Sequence, residues 1–360
     1  MPDPIGLLQP PQSPLSLALW NFSSQWFLVP QGTGIIGVII NRLDHRFDGQ
    51  RTLSRIVWFY TIVLLGICLF IYLLRLSLYP RYVCRQLRNN LNETSCLACI
   101  PITFTSIIQL AVLQHGDTAG VSIYVLWWIN SAFAIAACLG IPTVQLKLQP
   151  PGTQHVSPTV LLPFIAALTA ATGGAVICRA GHLSPRLQVP AILVAYLEVG
   201  AGLGLAAGTN AVILFQHFDR SFIDPGTVFQ DMVMCGPFGQ GAFALQVLGQ
   251  AVQRGSFAGY ERGVFLTATA AGSVGFTSQF LALLIWGYGG VFTNAAVEFG
   301  KIMDSPAFAV VSTGLLLLLV MVWFVNQVLI VKGLVTGRLI GLEHGWHRPG
   351  DQRSPEIKEA

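Results

Sequence analysis

Residues 56–74 read IVWFYTIVLLGICLFIYLL, a run without a charge that Arg75 closes. A helix that crosses the hydrocarbon layer needs about 20 consecutive apolar residues, and this run supplies them. It shows no polar stripe of the kind a surface helix keeps toward water. Outward from it the same texture recurs. Charge-free or nearly charge-free windows occupy 21–41, 94–116, 118–146, 157–178, 187–218, 232–253, 263–297 and 305–331, and Glu198 alone interrupts the sixth span. The loops between them are short and hold nearly all the Arg, Lys and Asp. Window 263–297 is too short for two spans and a turn. Gly287, Gly289 and Gly290 break it after Trp286, so the reading is one span over about 264–286 and a short remainder at 288–298. The expected fold is therefore an all-α integral membrane protein, a helical bundle of about nine transmembrane helices. An N-terminal tail covers 1–21, a single transmembrane domain 22–335 and a polar C-terminal tail 336–360.

Composition agrees. Of 360 residues only 10% are charged and 53% are hydrophobic, where a soluble chain carries roughly a quarter charged. Ionised side chains are costly against lipid, which explains the deficit. A net charge of +4, scattered over short loops, excludes nucleic acid as a partner; the lipid bilayer is the expected one. The seven cysteines lie mostly in apolar runs and read as small buried hydrophobes. Cys96 and Cys99 form a lone C-x-x-C with no second pair at ligand spacing, so neither metal nor cofactor is expected. Residues 1–21 are Pro-rich, lack Lys and Arg, and run straight into an apolar window, so no cleavable signal peptide is expected. With the N-terminus outside, the larger share of the basic residues falls inside, among them Arg42, Arg46, Arg51, Arg55, Arg179, Arg186, Lys332 and Arg338. The positive-inside rule then predicts N-terminus out and C-terminus in. The triplets beginning at Asn21 and Asn92 are glycosylation sequons on that outer side.

The helix breakers carry the functional reading. Span one holds Pro30, Gln31, Gly32, Thr33 and Gly34; span three holds Pro101; span five holds Pro163, Gly173 and Gly174; span seven holds Gly236, Pro237, Phe238, Gly239, Gln240 and Gly241. A proline inside a helix frees a carbonyl and kinks the rod, and in lipid the freed groups must meet protein or water. The breakers concentrate on alternate spans. That predicts odd-numbered helices inside, around a watered path, and even-numbered helices outside. The alternative is that the glycines only let helices approach. Gly32-x-Gly34-x-x-Gly37 matches a dinucleotide fingerprint, but no strand or βαβ unit surrounds it. The expected path is nearly uncharged, lined by Gln31, Thr33, Thr103, Thr105, Thr169, Thr172, Gln240 and Gln246. Such neutral donors suit an anion that must bind and leave again. Glu198, a carboxylate inside a span, reads either as a proton-coupling group or as an inert acid bonded between helices.

Trp26, Phe27 and Gly32-Thr33-Gly34, then Tyr124-Val125-Leu126-Trp127-Trp128, then Gly236-Pro237-Phe238-Gly239-Gln240-Gly241, with Glu298-Phe299-Gly300 and Met303-Asp304-Ser305-Pro306, resemble the tellurite-resistance/dicarboxylate transporter family over roughly 22–335. Within it they are similar to fungal sulfite efflux pumps and malic acid permeases. The resemblance implies ten helices in five hairpins around a central pore of odd-numbered helices, a homotrimer, a plasma-membrane location and a phenylalanine gate, for which Phe238 and Phe104 are the candidates. The chain departs from the pattern at Ile102-Thr103-Phe104 and at Val29-Pro30-Gln31. The sequence offers no counterpart of the family's ninth helix, unless 288–300 forms a half-helix in its place. The implied function is transport of a small anion, sulfite or bisulfite outward, with a C4-dicarboxylate such as malate as the alternative. Two other classes stay open, a non-transporting remnant and a membrane-embedded enzyme. The enzyme reading lacks paired acids, and the seven histidines are dispersed.

Overall fold

A computed structural model describes residues 11, 13–43, 46–148, 156–219, 228–253 and 306–342. The span at 264–286, the remainder at 288–298, the half-helix at 288–300, the motifs at 298–305 and the tail beyond 342 lie outside these residues. Among the described residues every element is helical and no strand occurs. In chain order the helices are α1 Pro14–Asn21, α2 Leu28–Arg42, α3 Gln50–Leu78, α4 Pro80–Asn89, α5 Leu91–Ser95, α6 Cys99–Leu148, α7 Leu162–Ala180, α8 Pro185–Asp219, α9 Gly236–Gln253 and α10 Pro306–Val335.

Helix α6 is 50 residues long, about 75 Å if straight, yet it is folded in two. Asn130 Nδ2 donates to the Pro101 carbonyl at 3.2 Å and to Thr105 Oγ1 at 2.6 Å. Gln145 Nε2 donates to Ser95 Oγ at 2.8 Å. Its two arms are therefore antiparallel neighbours, the third and fourth spans read from sequence. Six described segments are long and apolar enough to cross a membrane, and burial alternates along the first five of them. The buried share is 28% for α3, 67% for Leu91–His115, 33% for Gly120–Leu148, 94% for α7 and 39% for α8. The shorter α2 and α9 bury most of their side chains as well. So α2, the first arm of α6, α7 and α9 are inner helices, while α3, the second arm and α8 lie outside, as the breaker pattern predicts. The outer helices show Phe70, Phe133 and Phe215 to the surroundings. Such broad apolar exposure suits lipid, not water.

The prolines act differently from the sequence expectation. Each inner helix is preceded by a 3-10 turn: Ser24–Phe27, Cys96–Ala98, Pro158–Leu161 and Val228–Cys235. Pro30, Pro101, Pro163 and Pro237 then sit in the first turn of the α-helix that follows. There a missing N–H costs nothing, because first-turn N–H groups have no helical partner. These prolines mark a change of pitch, not a mid-helix kink. The prolines inside helices, Pro142 and Pro190, belong to the outer layer instead.

All four inner helices start at the same end of the bundle, here the proline end, and run to the other, the arginine end, where α2 and α7 carry Arg42 and Arg179 in their last turns. At the proline end a buried ion pair ties the elements together. Arg75 Nη1 lies 2.5 Å from Glu93 Oε1, with the two side chains 3% and 4% exposed. Arg75 Nε donates to the Trp20 carbonyl, Glu93 Oε2 accepts the Ser24 N–H at 3.1 Å, and Ser24 Oγ donates to the Glu93 carbonyl. Removing one partner of such a pair costs about 3–5 kcal/mol.

Two expectations change here. Residues 14–21, assigned to a tail, form α1, and Trp20 is buried, stacked on Tyr82. Asn21 Nδ2 donates to the Ile340 carbonyl at 2.8 Å, so the two flanks of the bundle share one end, not opposite ends. Lys332 and Arg338 thereby join Arg75, Arg81, Arg85, Arg88 and Lys147 at the proline end, and the basic asymmetry that placed this end outside disappears. The sequons are engaged as well, since Asn92 Oδ1 accepts the Thr159 hydroxyl at 2.6 Å.

Epitopes inserted before Pro14 and after Leu342 are expected to be reached by antibody from one and the same side of sealed vesicles; labelling from opposite sides rejects the Asn21–Ile340 pairing. A Cβ on Gly174 would lie 2.6 Å from Trp127 Cζ2, whereas one on Gly66 meets nothing within 4 Å. Gly174→Ala should therefore cost about 1–3 kcal/mol by overpacking and lower the thermal unfolding midpoint in detergent, while Gly66→Ala leaves it unmoved.

Candidate functional site

The inner helices enclose the position where a path must run, and their faces sort the residues singled out in the sequence. On α2, Thr33 turns away from the interior, because Trp323 Nε1 on α10 donates to its hydroxyl at 3.1 Å. Gly34 is a contact glycine: a Cβ there would stand 2.9 Å from Ser106 Cβ on the first arm of α6. Gly32 has open space beside it. Gln31 and Arg42 lie eleven residues apart, three turns of helix, and so share a face to within about 20°. Arg42 fixes the direction of that face, since its guanidinium carbon sits 4.7 Å from the centre of the Phe243 ring on α9.

The glycine pair on α7 seats an aromatic. Trp127 on the outer arm of α6 is fully buried and donates its indole N–H to the Ala170 carbonyl at 2.8 Å. A Cβ on Gly173 would meet Thr105 Cγ2 at 2.7 Å, and Gly174 touches the indole itself. On α9 a Cβ on Gly236 would press on Ile165, and one on Gly241 on Leu203. Gly239 is buried. Of the two readings left open for these glycines, close packing fits Gly34, Gly173, Gly174, Gly236 and Gly241.

The threonines offer less than the sequence suggested. Thr33, Thr103, Thr105, Thr169 and Thr172 donate their hydroxyl protons to the carbonyls of Val29, Cys99, Pro101, Ile165 and Leu168, each four residues back at 2.7–2.9 Å. In lipid this satisfies the hydroxyl within its own helix. What remains on each oxygen is acceptor capacity. Thr105 gives it to Asn130, and Thr172 gives it to Gln240 Nε2 at 3.1 Å. These groups are therefore not donors to an anion.

Two amides stand apart. Both side-chain heteroatoms of Gln246 are buried without a partner, in a residue 1% exposed, and Gln31 Oε1 is likewise buried and unpartnered. An unpaired buried amide costs about 1–3 kcal/mol, so Gln246 sits where stability alone would not put it. Arg42 also corrects the expectation of an uncharged path: it is 8% exposed and lies on an inner helix. The windows scanned for charge stopped at residue 41, which is why it was read as a loop residue.

Of the aromatic gate candidates, Phe104 packs partly buried beside the cluster around Trp127, and Phe238 is half-buried. Phe243, 1% exposed, is the ring that meets a cation between two inner helices. No breaker adjoins it, so the sequence reading passed over it. Gln109 on the first arm and Asn130 on the second are buried polar residues also missed; both were legible as amides inside charge-free windows. Glu198 sits elsewhere, between α8 and the outer arm of α6, where Ser131 Oγ donates to its Oε1 at 2.5 Å. Among the described residues no cluster of His, Cys, Asp and Glu assembles for a metal.

With that geometry in place, comparison with known proteins is informative. Residues 21–292 match the family described as SLAC1, voltage-dependent anion channel. The sulfite efflux pump SSU1 of Arthroderma benhamiae is 25% identical over 344 residues, covering 85% of this chain and 89% of that protein, and SSU1 of Trichophyton rubrum matches to the same extent. The malic acid transport protein of Schizosaccharomyces pombe is 23% identical over 379 residues, covering 94% of this chain and 85% of that protein. These relatives are named for transport, not for an enzymatic reaction. The alternation of buried and exposed spans, the apolar outer layer and a match over most of the length lead to one conclusion: the chain is a multi-pass membrane protein of the SLAC1 voltage-dependent anion channel family.

Proposed function

We propose that this protein carries a small oxyanion, sulfite or bisulfite, outward across the plasma membrane, along the interior of α2, the first arm of α6, α7 and α9. The observation that carries the reading is the similarity to sulfite efflux pumps along 85% of the chain. The physical service is to spare the anion its solvation penalty, since a bare charge in hydrocarbon costs many kcal/mol. Bisulfite, with one negative charge, asks less of this interior than sulfite, with two: among the described residues Arg42 is the one buried cation on an inner helix. Threonine oxygens whose protons are already committed offer lone pairs, which match the hydroxyl of bisulfite.

The dicarboxylate reading keeps one observation in its favour, the malic acid transporter that covers 94% of the chain. A malate dianion asks for a second cationic contact in the same interior. Assembly as a homotrimer, the arrangement the family resemblance implies, belongs to the same proposal. A proton-coupling role for Glu198 gains no support from its place in the outer layer, bonded to Ser131.

Purified protein in liposomes loaded separately with sulfite, malate or nitrate provides the test. Sulfite efflux well above that of empty liposomes, with malate slower, is the expected outcome. Malate faster than sulfite reverses the substrate order, and no movement of any anion leaves a non-transporting relative of the pumps.

A further inference from the structure

Between the outer helix α3 and the inner first arm of α6 the chain runs along α4, Pro80–Asn89, at the proline end of the bundle. This short helix has two unlike faces. Val83 is buried in the core with Leu87 packed against it, and Tyr82 and Gln86 are half-buried beside them. Arg81, Cys84, Arg85 and Arg88 are exposed. At about 100° per residue these four fall within about 100° of the helix circumference, opposite Val83. Among the described residues none of the three arginines meets an acceptor, and the carboxylate of Glu93 is committed to Arg75. Arginine keeps its charge at every physiological pH. Like charges one turn apart repel, so this stripe asks for an anion from outside the chain.

Three observations say what kind of anion. Only Tyr79 separates α4 from the end of α3, where Leu73, Leu74 and Leu78 are still exposed. The inward side of α4 rests on aromatic rings. Trp20 stacks on Tyr82 at 3.7 Å between centroids and meets Tyr79 edge-on at 5.0 Å. Trp and Tyr gather where hydrocarbon gives way to headgroups. Exposed cations also follow the rim of the bundle at this end, since Lys147 closes the outer arm of α6 and Lys332 lies in the last turn of α10. A soluble anion or an acidic partner asks for a gathered patch; a layer of headgroup phosphates meets a rim.

We infer that the arginine stripe of α4 is a docking surface for anionic phospholipid headgroups, which hold the proline end at the membrane boundary. Each guanidinium fork donates two N–H groups to two phosphate oxygens. A free interfacial helix adds insertion of its apolar face to this attraction. Here that face is spent on the protein's own core, so recognition comes from charge. The inference needs only that the chain spans a membrane, and it stands whichever anion is carried.

The test uses the purified full-length protein in neutral detergent micelles doped with dioleoylphosphatidylglycerol or dioleoylphosphatidylcholine. The unfolding temperature reads binding. Alkylation of Cys84 by N-ethylmaleimide reads where the lipid sits, since the other cysteines are buried. Phosphatidylglycerol should raise the unfolding temperature and slow Cys84 alkylation several-fold, at mole fractions where phosphatidylcholine does neither. Combining Arg81→Gln, Arg85→Gln and Arg88→Gln should raise the half-saturating mole fraction about fivefold for each charge removed. Combining Arg81→Lys, Arg85→Lys and Arg88→Lys, which keeps the charge, should retain most of the affinity. Arg51→Gln removes an exposed charge at the arginine end and should match wild type. All of these positions are exposed, so the variants keep the fold, and the unfolding temperature without lipid checks that. Equal effects of the two lipids, or wild-type half-saturation in the triple Gln variant, overturn the inference. Protection of Cys84 by millimolar inorganic phosphate, with no preference for the lipid, assigns the stripe to a soluble anion and overturns it as well.

Discussion

A polar hydrogen inside this bundle has little beside the chain itself to bond to, because hydrocarbon supplies no acceptor. That constraint selects an all-helical fold, in which backbone N–H groups are satisfied inside each segment. It also governs the side chains: five threonines donate to carbonyls four residues back, the Trp127 indole donates to Ala170, and Asn130 bridges the two arms of α6. The Arg75–Glu93 pair obeys the same rule at the proline end, where each charged group also meets a backbone partner. The pair holds α3, α5 and the 3-10 turn before α2 in one register. Because it is buried and fully partnered, its contribution is to specify one arrangement, more than to add net stability.

From this clamp the geometry of the inner layer follows. The 3-10 turns let each inner chain enter with a tighter pitch, and the first-turn prolines set φ for the α-helix that begins there. The device recurs four times at the same end, on α2, the first arm of α6, α7 and α9. The inner helices therefore share a direction, and their C-terminal, partially negative ends gather at the other side. Arg42 and Arg179 in the last turns of α2 and α7 balance those dipoles. The same two residues place positive charge where an anion would enter or leave.

Much of this architecture is legible in the sequence, and the reasons for the rest are specific. The run at 56–74 gives α3 almost to its ends, and Asp117 separates the two arms of α6 where they reverse. The inner and outer layers alternate as the breaker reading predicts, although Pro142 and Pro190, the prolines inside helices, lie in the outer layer. What the breakers do is not legible, because it depends on the neighbour. Gly173 and Gly174 look like a weak point in a rod until Trp127, about fifty residues earlier in the chain, is found resting on them. Pro101 and Pro163 look internal because the 3-10 turns before them are as apolar as the helices after them. A threonine names a hydroxyl but not where its proton points, so residues read as donors proved to be acceptors. That the flanks at Asn21 and Ile340 share one end was not legible in hydropathy, and the hydrogen bond between them supplies it.

Local rules fail at a handful of positions. Hydrogen bonding within the chain accounts for most of the buried polar groups described, yet Gln246 keeps both heteroatoms unpartnered, and Gln31, Tyr72, Gln114, Tyr196, Glu198 and Asn210 each keep one such atom. Leucine at 246 would satisfy the bundle better, because an unsatisfied buried amide is a standing cost. A ligand that supplies the missing partners when it is present, and takes them away when it leaves, is the simplest reason for a membrane protein to keep that glutamine.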